Sequence, residues 1–324
     1  MRYRAFGRTG LRISELGFGC GSVGGLLVRG QWQEMVATVE RAIAVGVNYF
    51  DTASLYGDGR SEANLGAVLQ ALEADVLVGT KVRLTPSEMD HLHDAVLASA
   101  DASLKRLQVD CIDVLHLHNP IHLHRDPDQS AVGLEDLAPI VDAFQLLQTQ
   151  GKVRWYGLNG LGETTALHHA VETAGAHSIQ TCYNLLNPSA GQPAPPGFPF
   201  QDYRGLLSQA AQWGLGVIAI RVLAGGALSG TVQRHPTAAK TVAPIATGMD
   251  YAQDVAYAQR FQVLVEQGYT ESLVEAAIRF AISNPAVSTA LVGVSSLDQL
   301  EQAADAVAKG PLPAPALTQI AALG

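Results

Sequence analysis

Asp51, Tyr56, Lys81 and His118 are residue types that move or steady protons, and each falls at or just beyond the end of a short apolar run. One run closes in Asn48-Tyr49-Phe50-Asp51 and passes into a loop carrying Tyr56, Gly57 and Gly59. A second, 76–81, ends on Lys81, and a third, 111–118, ends on His118 before Asn119-Pro120. Tyrosine is a weak acid, with an ordinary pKa of about 10, and a nearby cation strengthens it by stabilising the phenolate. Lys81 is a candidate for that cation, and Asp51 for the carboxylate that keeps it charged in a buried place. Tyr56 would then donate a proton to an oxygen atom, and His118 a hydrogen bond to the same oxygen. Taken singly, Asp51 could cap its loop, Tyr56 could pack its ring and His118 could be a satisfied core histidine. Lys81 resists such a reading, because lysine is rarely buried without a partner.

These side chains converge only if their strands lie in parallel with like ends together. The sequence supplies that arrangement. Apolar runs at 16–19, 47–51, 76–81, 111–118, 153–158, 178–183, 216–220 and 288–292 alternate with segments of helical spacing at 34–45, 62–72, 87–107, 134–149, 164–174, 204–213, 251–266, 271–283 and 297–307. Strands rich in Val, Ile and Leu, each followed by helix, imply a parallel sheet covered by helices. Eight such units in 324 residues predict an α/β fold of the (β/α)8 TIM-barrel type, read as one domain over 1–324. The rival, an open doubly wound sheet, would show G-x-G-x-x-G after its first strand. Gly17-Phe18-Gly19-Cys20-Gly21 lacks that spacing. Runs 3–6 and 11–14 flank Arg8-Thr9-Gly10 and predict an N-terminal β-hairpin that closes the barrel floor. Two long segments, 187–202 and 229–250, follow strands, so both are expected over the C-terminal face; the first reads as a lid or substrate loop. The tail at 310–315 is proline-rich and predicts no regular structure.

Composition narrows the classes. A net charge of −9 argues against nucleic acid as a partner. No apolar run reaches the roughly 18 residues of a membrane span, and the N-terminus lacks a signal-type apolar core, so a cytoplasmic protein is expected. Cys20, Cys111 and Cys182 are widely spaced, without metal-type spacing, and read as buried thiols.

The sequence resembles the aldo-keto reductase family along nearly its whole length. Phe50-Asp51-Thr52-Ala53 with Tyr56-Gly57 is similar to that family's F-D-T-A…Y-G, and Val78-Gly79-Thr80-Lys81 to its strand lysine motif. Ser103-Leu104-Lys105-Arg106-Leu107, Asp110-Cys111-Ile112-Asp113 and His116-Leu117-His118 are similar to its S-L-x-R-L…D-x-x-D…H segment. The resemblance implies an NAD(P)-dependent oxidoreductase acting on a carbonyl or alcohol substrate (an aldehyde, ketone or aldose), with Asp51, Tyr56, Lys81 and His118 as catalytic residues. It also implies NADP or NAD bound by Gly19, Cys20, Gly21, Asp51, Asn159, Gly160, Gln180, Ile220, Arg221, Val222, Leu223, Ala224, Gly293, Ser295 and Gln299.

Several positions depart from the family pattern. Gly160 replaces a partner of the nicotinamide amide, Ile220 replaces a stacking aromatic, and Ala303 replaces an asparagine. No Arg or Lys stands between Gly293 and Ala308, and Thr231 stands where a lysine is usual. The 2′-phosphate of NADP wants a basic partner, which leaves Arg234 and Lys240 as candidates and the choice of nucleotide open. Two other readings stand beside this one. A cofactor-sensing regulatory subunit, slow or non-catalytic, would share the same residues. A barrel metallohydrolase would use the H-x-H pair His116 and His118, with His122 and His124 nearby. Oligomeric state is not legible.

Overall fold

The computed structural model describes residues 1–248 and 250–323; Met249 of the 229–250 loop and Gly324 at the end of the expected domain lie outside the described residues. Among the described residues there are ten strands: β1 (Tyr3–Ala5), β2 (Arg12–Ser14), β3 (Leu16–Gly19), β4 (Tyr49–Asp51), β5 (Leu77–Val82), β6 (Ile112–Leu117), β7 (Val153–Gly160), β8 (Ser178–Cys182), β9 (Gly216–Ile220) and β10 (Val287–Gly293). Strands β3 to β10 form a closed barrel in chain order, and β10 pairs with β3 to complete it, Gly293 opposite Gly19. Every barrel pairing is parallel, so all eight C-terminal ends open on one face. The expected (β/α)8 architecture is therefore present.

The hairpin closes the floor. β1 and β2 pair antiparallel, and Phe6 and Ile13 pack with Tyr49, Val114 and Ile218. Phe6 sits where a side chain on Gly216 would stand, since a Cβ there would lie 2.4 Å from the Phe6 ring. Arg8 ties the plug down by donating to the carbonyls of Gly175, Ala176 and Trp213. Glu15 accepts from both Arg2 and Arg4.

The barrel interior fills in layers, as closure of eight strands requires. One layer runs through the register Lys81, His116, Gly157 and Ser178. His116 Nε2 and Ser178 Oγ are 3.0 Å apart across Gly157. A Cβ on Gly157 would stand 2.3 Å from Ser178 Oγ and 2.4 Å from His116 Cδ2, so this layer closes only around a glycine. A layer below, a Cβ on Gly79 would stand 2.2 Å from the Tyr49 hydroxyl.

Elsewhere the helices match with local differences. The segment expected helical over 87–107 divides into a turn at Pro86–Glu88 and a helix at Leu92–Leu107. Thr85 and Glu88 cap that turn reciprocally, and His91 has non-helical φ and ψ. Of the tail expected to be irregular, 310–313 has no helix or strand, and Ala314 and Pro315 open a helix at Ala314–Leu323, where a missing N–H costs little. Ala316 and Ile320 bury its inner face. Among the described residues no helix is long and apolar enough to cross a membrane.

Candidate active site

Asp51 ends β4 and Lys81 lies near the end of β5, the strand beside it. Their side chains form an ion pair that is almost wholly buried, 1% and 3% exposed. A buried pair of this kind holds only if its remaining hydrogen bonds are met. Here they are. Lys81 Nζ also donates to the Thr52 carbonyl at 2.6 Å. Asp51 Oδ2 accepts from Gln180 Nε2 at 2.5 Å and from the Tyr49 hydroxyl at 3.1 Å. Burial alone would strip the Lys81 proton, but Asp51, and then Tyr56, outweigh it and raise the lysine's pKa, so Lys81 is a cation.

Tyr56 follows β4 in the loop before the Arg60–Ala71 helix. Its ring centre lies 5.0 Å from Lys81 Nζ and 5.8 Å from the His118 ring, which it meets edge-on at 89°. Burial pushes the Tyr56 phenol up, and Lys81 opposes that rise without reversing it. The cation acts in the expected direction, and the desolvation of the ring outweighs it. His118 follows β6 directly, with its N–H bonded to Val82 O at 2.8 Å. Burial, then Lys81 and Arg83, holds its pKa well below the ordinary imidazole value, so the ring is neutral. A charged lysine, a protonated phenol and a neutral imidazole thus face one another at three successive strand ends.

Tyr56 and His118 border a cleft of about 490 Å³ on the C-terminal face. Of the expected site residues, Gly19, Gly21, Asp51, Tyr56, His118, Asn159, Gln180, Ile220, Arg221, Val222, Leu223, Gly293, Ser295 and Gln299 line it. Cys20, Lys81, Gly160 and Ala224 lie behind its wall, each buried. A side chain on Gly160 would run into Gln180 O at 2.7 Å, so that position admits only glycine. Tyr183 stacks on Phe280 at 5.0 Å instead of facing the cleft.

Several expected contacts are already engaged within the chain. Asn159 Nδ2 donates to His118 O at 2.8 Å, and its carbonyl accepts from Leu161 N at 3.2 Å. Ser295 Oγ donates to Gly24 O at 2.7 Å, and its N–H to Gln299 Oε1 at 2.8 Å. The cleft gains residues that the motifs did not single out, among them Ser22, Val23, Gly24 and Gln302. The 229–250 loop contributes Ser229, Gln233, Arg234, His235, Ala238 and Ile245. The 187–202 segment, expected as a lid, contributes no lining residue. It is fastened to other segments beyond the strand ends, with Asn187 Nδ2 donating to Ala246 O at 2.6 Å and Gln201 Nε2 to Gly162 O at 2.7 Å.

The cleft offers several groups that could hold an anionic ligand. Arg221, at a left-handed φ of 58°, lines it with a buried Nε that has no protein partner. Gly225 and Gly226, at φ 69° and 108°, present bare backbone beside it. At one end the Leu297–Ala308 helix begins, with Ser296 as its cap, and a helix N-terminus favours anionic groups. Toward the barrel axis the cleft reaches Tyr56 and His118. His118 Nδ1 is likewise buried without a protein partner.

A metal centre on the histidines is not supported. His116 turns into the barrel toward Ser178, while His118 faces the cleft. Among the described residues no three His, Cys, Asp or Glu side chains are grouped to hold a metal ion.

The profile of the Aldo/keto reductase family matches residues 15–324. The chain is 29% identical to L-galactose dehydrogenase of Arabidopsis thaliana over 313 residues, covering 94% of this chain and 87% of that protein. It is 28% identical to a putative voltage-gated potassium channel subunit beta of Schizosaccharomyces pombe, covering 94% and 88%. The structure superposes on the holo form of aldo-keto reductase AKR11C1 from Bacillus halodurans with a TM-score of 0.72 and 23% identity, covering 100% of this chain and 96% of that one.

Proposed function

The chain belongs to the aldo/keto reductase family, and from that premise we propose an NAD-preferring oxidoreductase in which Asp51, Tyr56, Lys81 and His118 handle the proton of carbonyl–alcohol interconversion. The nicotinamide, when bound, supplies or accepts the hydride. In reduction Tyr56 donates its proton to the carbonyl oxygen, and in oxidation its phenolate takes the alcohol proton. Lys81 stabilises that phenolate, and Asp51 keeps Lys81 charged and fixed. His118, neutral, donates a hydrogen bond to the reacting oxygen and orients it. The observation that carries this reading is the buried Lys81 cation between the Asp51 carboxylate and the Tyr56 ring.

Asn159, Gln180, Gly21 and Ile220 would hold the nicotinamide end, Arg221 to Leu223 with Gly225 the diphosphate, and Gly293 with Gln299 and Gln302 the adenosine. Gln180 and Asn159 would do so while also positioning Asp51 and His118. The preference for NAD rests on the adenosine end, where none of the lining residues from Gly293 to Ala303 is basic. Arg234 lines the cleft, but its guanidinium is spent on Ala239 O, Gly225 O and the Tyr251 ring. Lys240 is exposed and does not line the cleft. A fluorescence titration with NADH and NADPH tests this. NADH binding tighter by about tenfold or more is expected. Failure of both to bind at about 1 mM, the upper range of enzyme affinities, would overturn the oxidoreductase reading.

Similarity to L-galactose dehydrogenase supports a small hydroxylated substrate. Similarity to the potassium channel subunit favours a second reading, a slow enzyme that reports cofactor state to a partner. Turnover near the ordinary enzyme range of about 1 per second or faster separates the first from the second.

A further inference from the structure

Arg83 follows β5 directly, two residues beyond Lys81, at the barrel end that carries the proton chemistry. Its Nη1 donates to the main-chain oxygen of His118 at 3.2 Å. That oxygen also accepts the shorter bond from Asn159 at 2.8 Å, so the histidine is held without the arginine. Among the described residues Arg83 makes no other hydrogen bond and meets no carboxylate. An arginine carries five N–H donors in a planar fork, and here most of them have no protein partner. Arg106, Arg125, Arg154 and Arg279 each pair with a carboxylate. Arg83 is partly buried, and burial lowers its pKa with no acid opposing the shift. A partly desolvated guanidinium without an anion is costly to hold, and the chain, with 30 acidic residues against 21 basic, had carboxylates to spare.

Arg83 is not itself among the residues lining the cleft, but its bond to His118, which does line it, sets the guanidinium beside that stretch of wall, and the cleft there fits a substrate with an apolar body and a charged end. Leu55 lines the cleft beside Tyr56 while 55% exposed, and Leu161 lines it near His118. Of the cleft's own arginines, Arg221 is assigned to the diphosphate, and Arg234 is bonded to Ala239 O and Gly225 O. We propose that Arg83 selects carbonyl substrates that carry an anionic oxygen group, a carboxylate or a phosphate, close to the reacting carbon. This rests on the oxidoreductase reading of the same site. The planar fork matches either group with two parallel hydrogen bonds, which lysine does not reproduce.

The test compares kcat/KM with NADH for two substrate pairs, 4-carboxybenzaldehyde against benzaldehyde and glyceraldehyde 3-phosphate against glyceraldehyde. The expected wild-type preference is about tenfold or more for the anionic member of one pair, from hydrogen bonds to a charged group. Which pair shows it tells carboxylate from phosphate. Arg83→Gln should bring that ratio close to one, and Arg83→Lys should keep part of it. If Arg83 merely braced the His118 main chain, both members would lose rate alike and the ratio would survive. A surviving ratio, or a wild-type ratio near one in both pairs, overturns the proposal. If the wild type turns over none of the four aldehydes, the oxidoreductase reading is what has failed. Titration of the NADH-loaded protein with benzoate, inorganic phosphate and benzamide then decides Arg83 by binding. Tighter binding of either anion that Arg83→Gln abolishes supports the proposal, and equal binding of all three overturns it.

Discussion

The Lys81 ammonium stands 5.0 Å from the centre of the Tyr56 ring while it is paired with Asp51 on its other side. The phenol therefore sits between two opposed influences, burial that raises its pKa and a cation that restrains the rise. Reduction needs the protonated phenol. With the pKa above its ordinary value of about 10, kcat for reduction should stay flat from about pH 6 to about pH 9. His118, already neutral through that range, adds no step of its own. Oxidation needs the phenolate, so its rate should climb throughout the same range. Lys81→Met removes the restraining cation and should move the climb to higher pH. Paired pH–rate profiles in the two directions check this.

The same ion pair governs stability. Asp51→Asn leaves the Lys81 ammonium buried without its carboxylate and should cost about 3–5 kcal/mol. Lys81→Met should cost less, because Asp51 keeps its donors Gln180 and Tyr49. Urea unfolding of the two variants gives the order directly.

His116 makes the fold sensitive to acid. Burial, and then Lys81, pushes its pKa down to about 3. The unfolded chain titrates near the ordinary value of about 6.5, so between those values it binds more protons than the fold. The contribution is complete above about pH 6.5 and is lost as pH falls toward about 3, at no more than about 1.4 kcal/mol per pH unit for one histidine. His116→Gln should flatten that part of the dependence of stability on pH, measured by denaturant titration from pH 7 to pH 4.

The nucleotide preference can be moved by one residue. Gln302 is exposed and lines the cleft at the Leu297–Ala308 helix, the stretch proposed for the adenosine. Gln302→Arg supplies the basic partner that segment lacks, and should improve the NADPH-to-NADH affinity ratio by about tenfold. Fluorescence titration of the variant with each nucleotide reads the ratio.

The barrel and the proton-handling residues were legible because both are written in short-range pattern. Apolar runs ending in Asp51, Lys81 and His118 mark strand ends, and alternation with helices places those ends on one face. What escaped depends on contacts distant in sequence. Ser295 and Gln299 line the cleft, but the bonds they make to each other and from Ser295 to Gly24 leave no trace in the sequence. The 187–202 segment reads as a lid from its proline and glycine content, but Asn187 anchors it to Ala246 and Gln201 anchors it to Gly162. The helix at Ala314–Leu323 was obscured by prolines that precede or open it. Arg83 carried a signal, a cation two residues past Lys81 at a strand tip, but its lack of a carboxylate is visible only in three dimensions.

The most direct test of the account is Tyr56→Phe, which deletes one hydroxyl and keeps the ring that packs against Lys81 and His118. Turnover should fall by about 10²–10⁴-fold, the ordinary contribution of a positioned acid, while the dissociation constant for NADH stays within about threefold, under 1 kcal/mol. Turnover that survives the substitution would contradict the assignment of Tyr56 as proton donor.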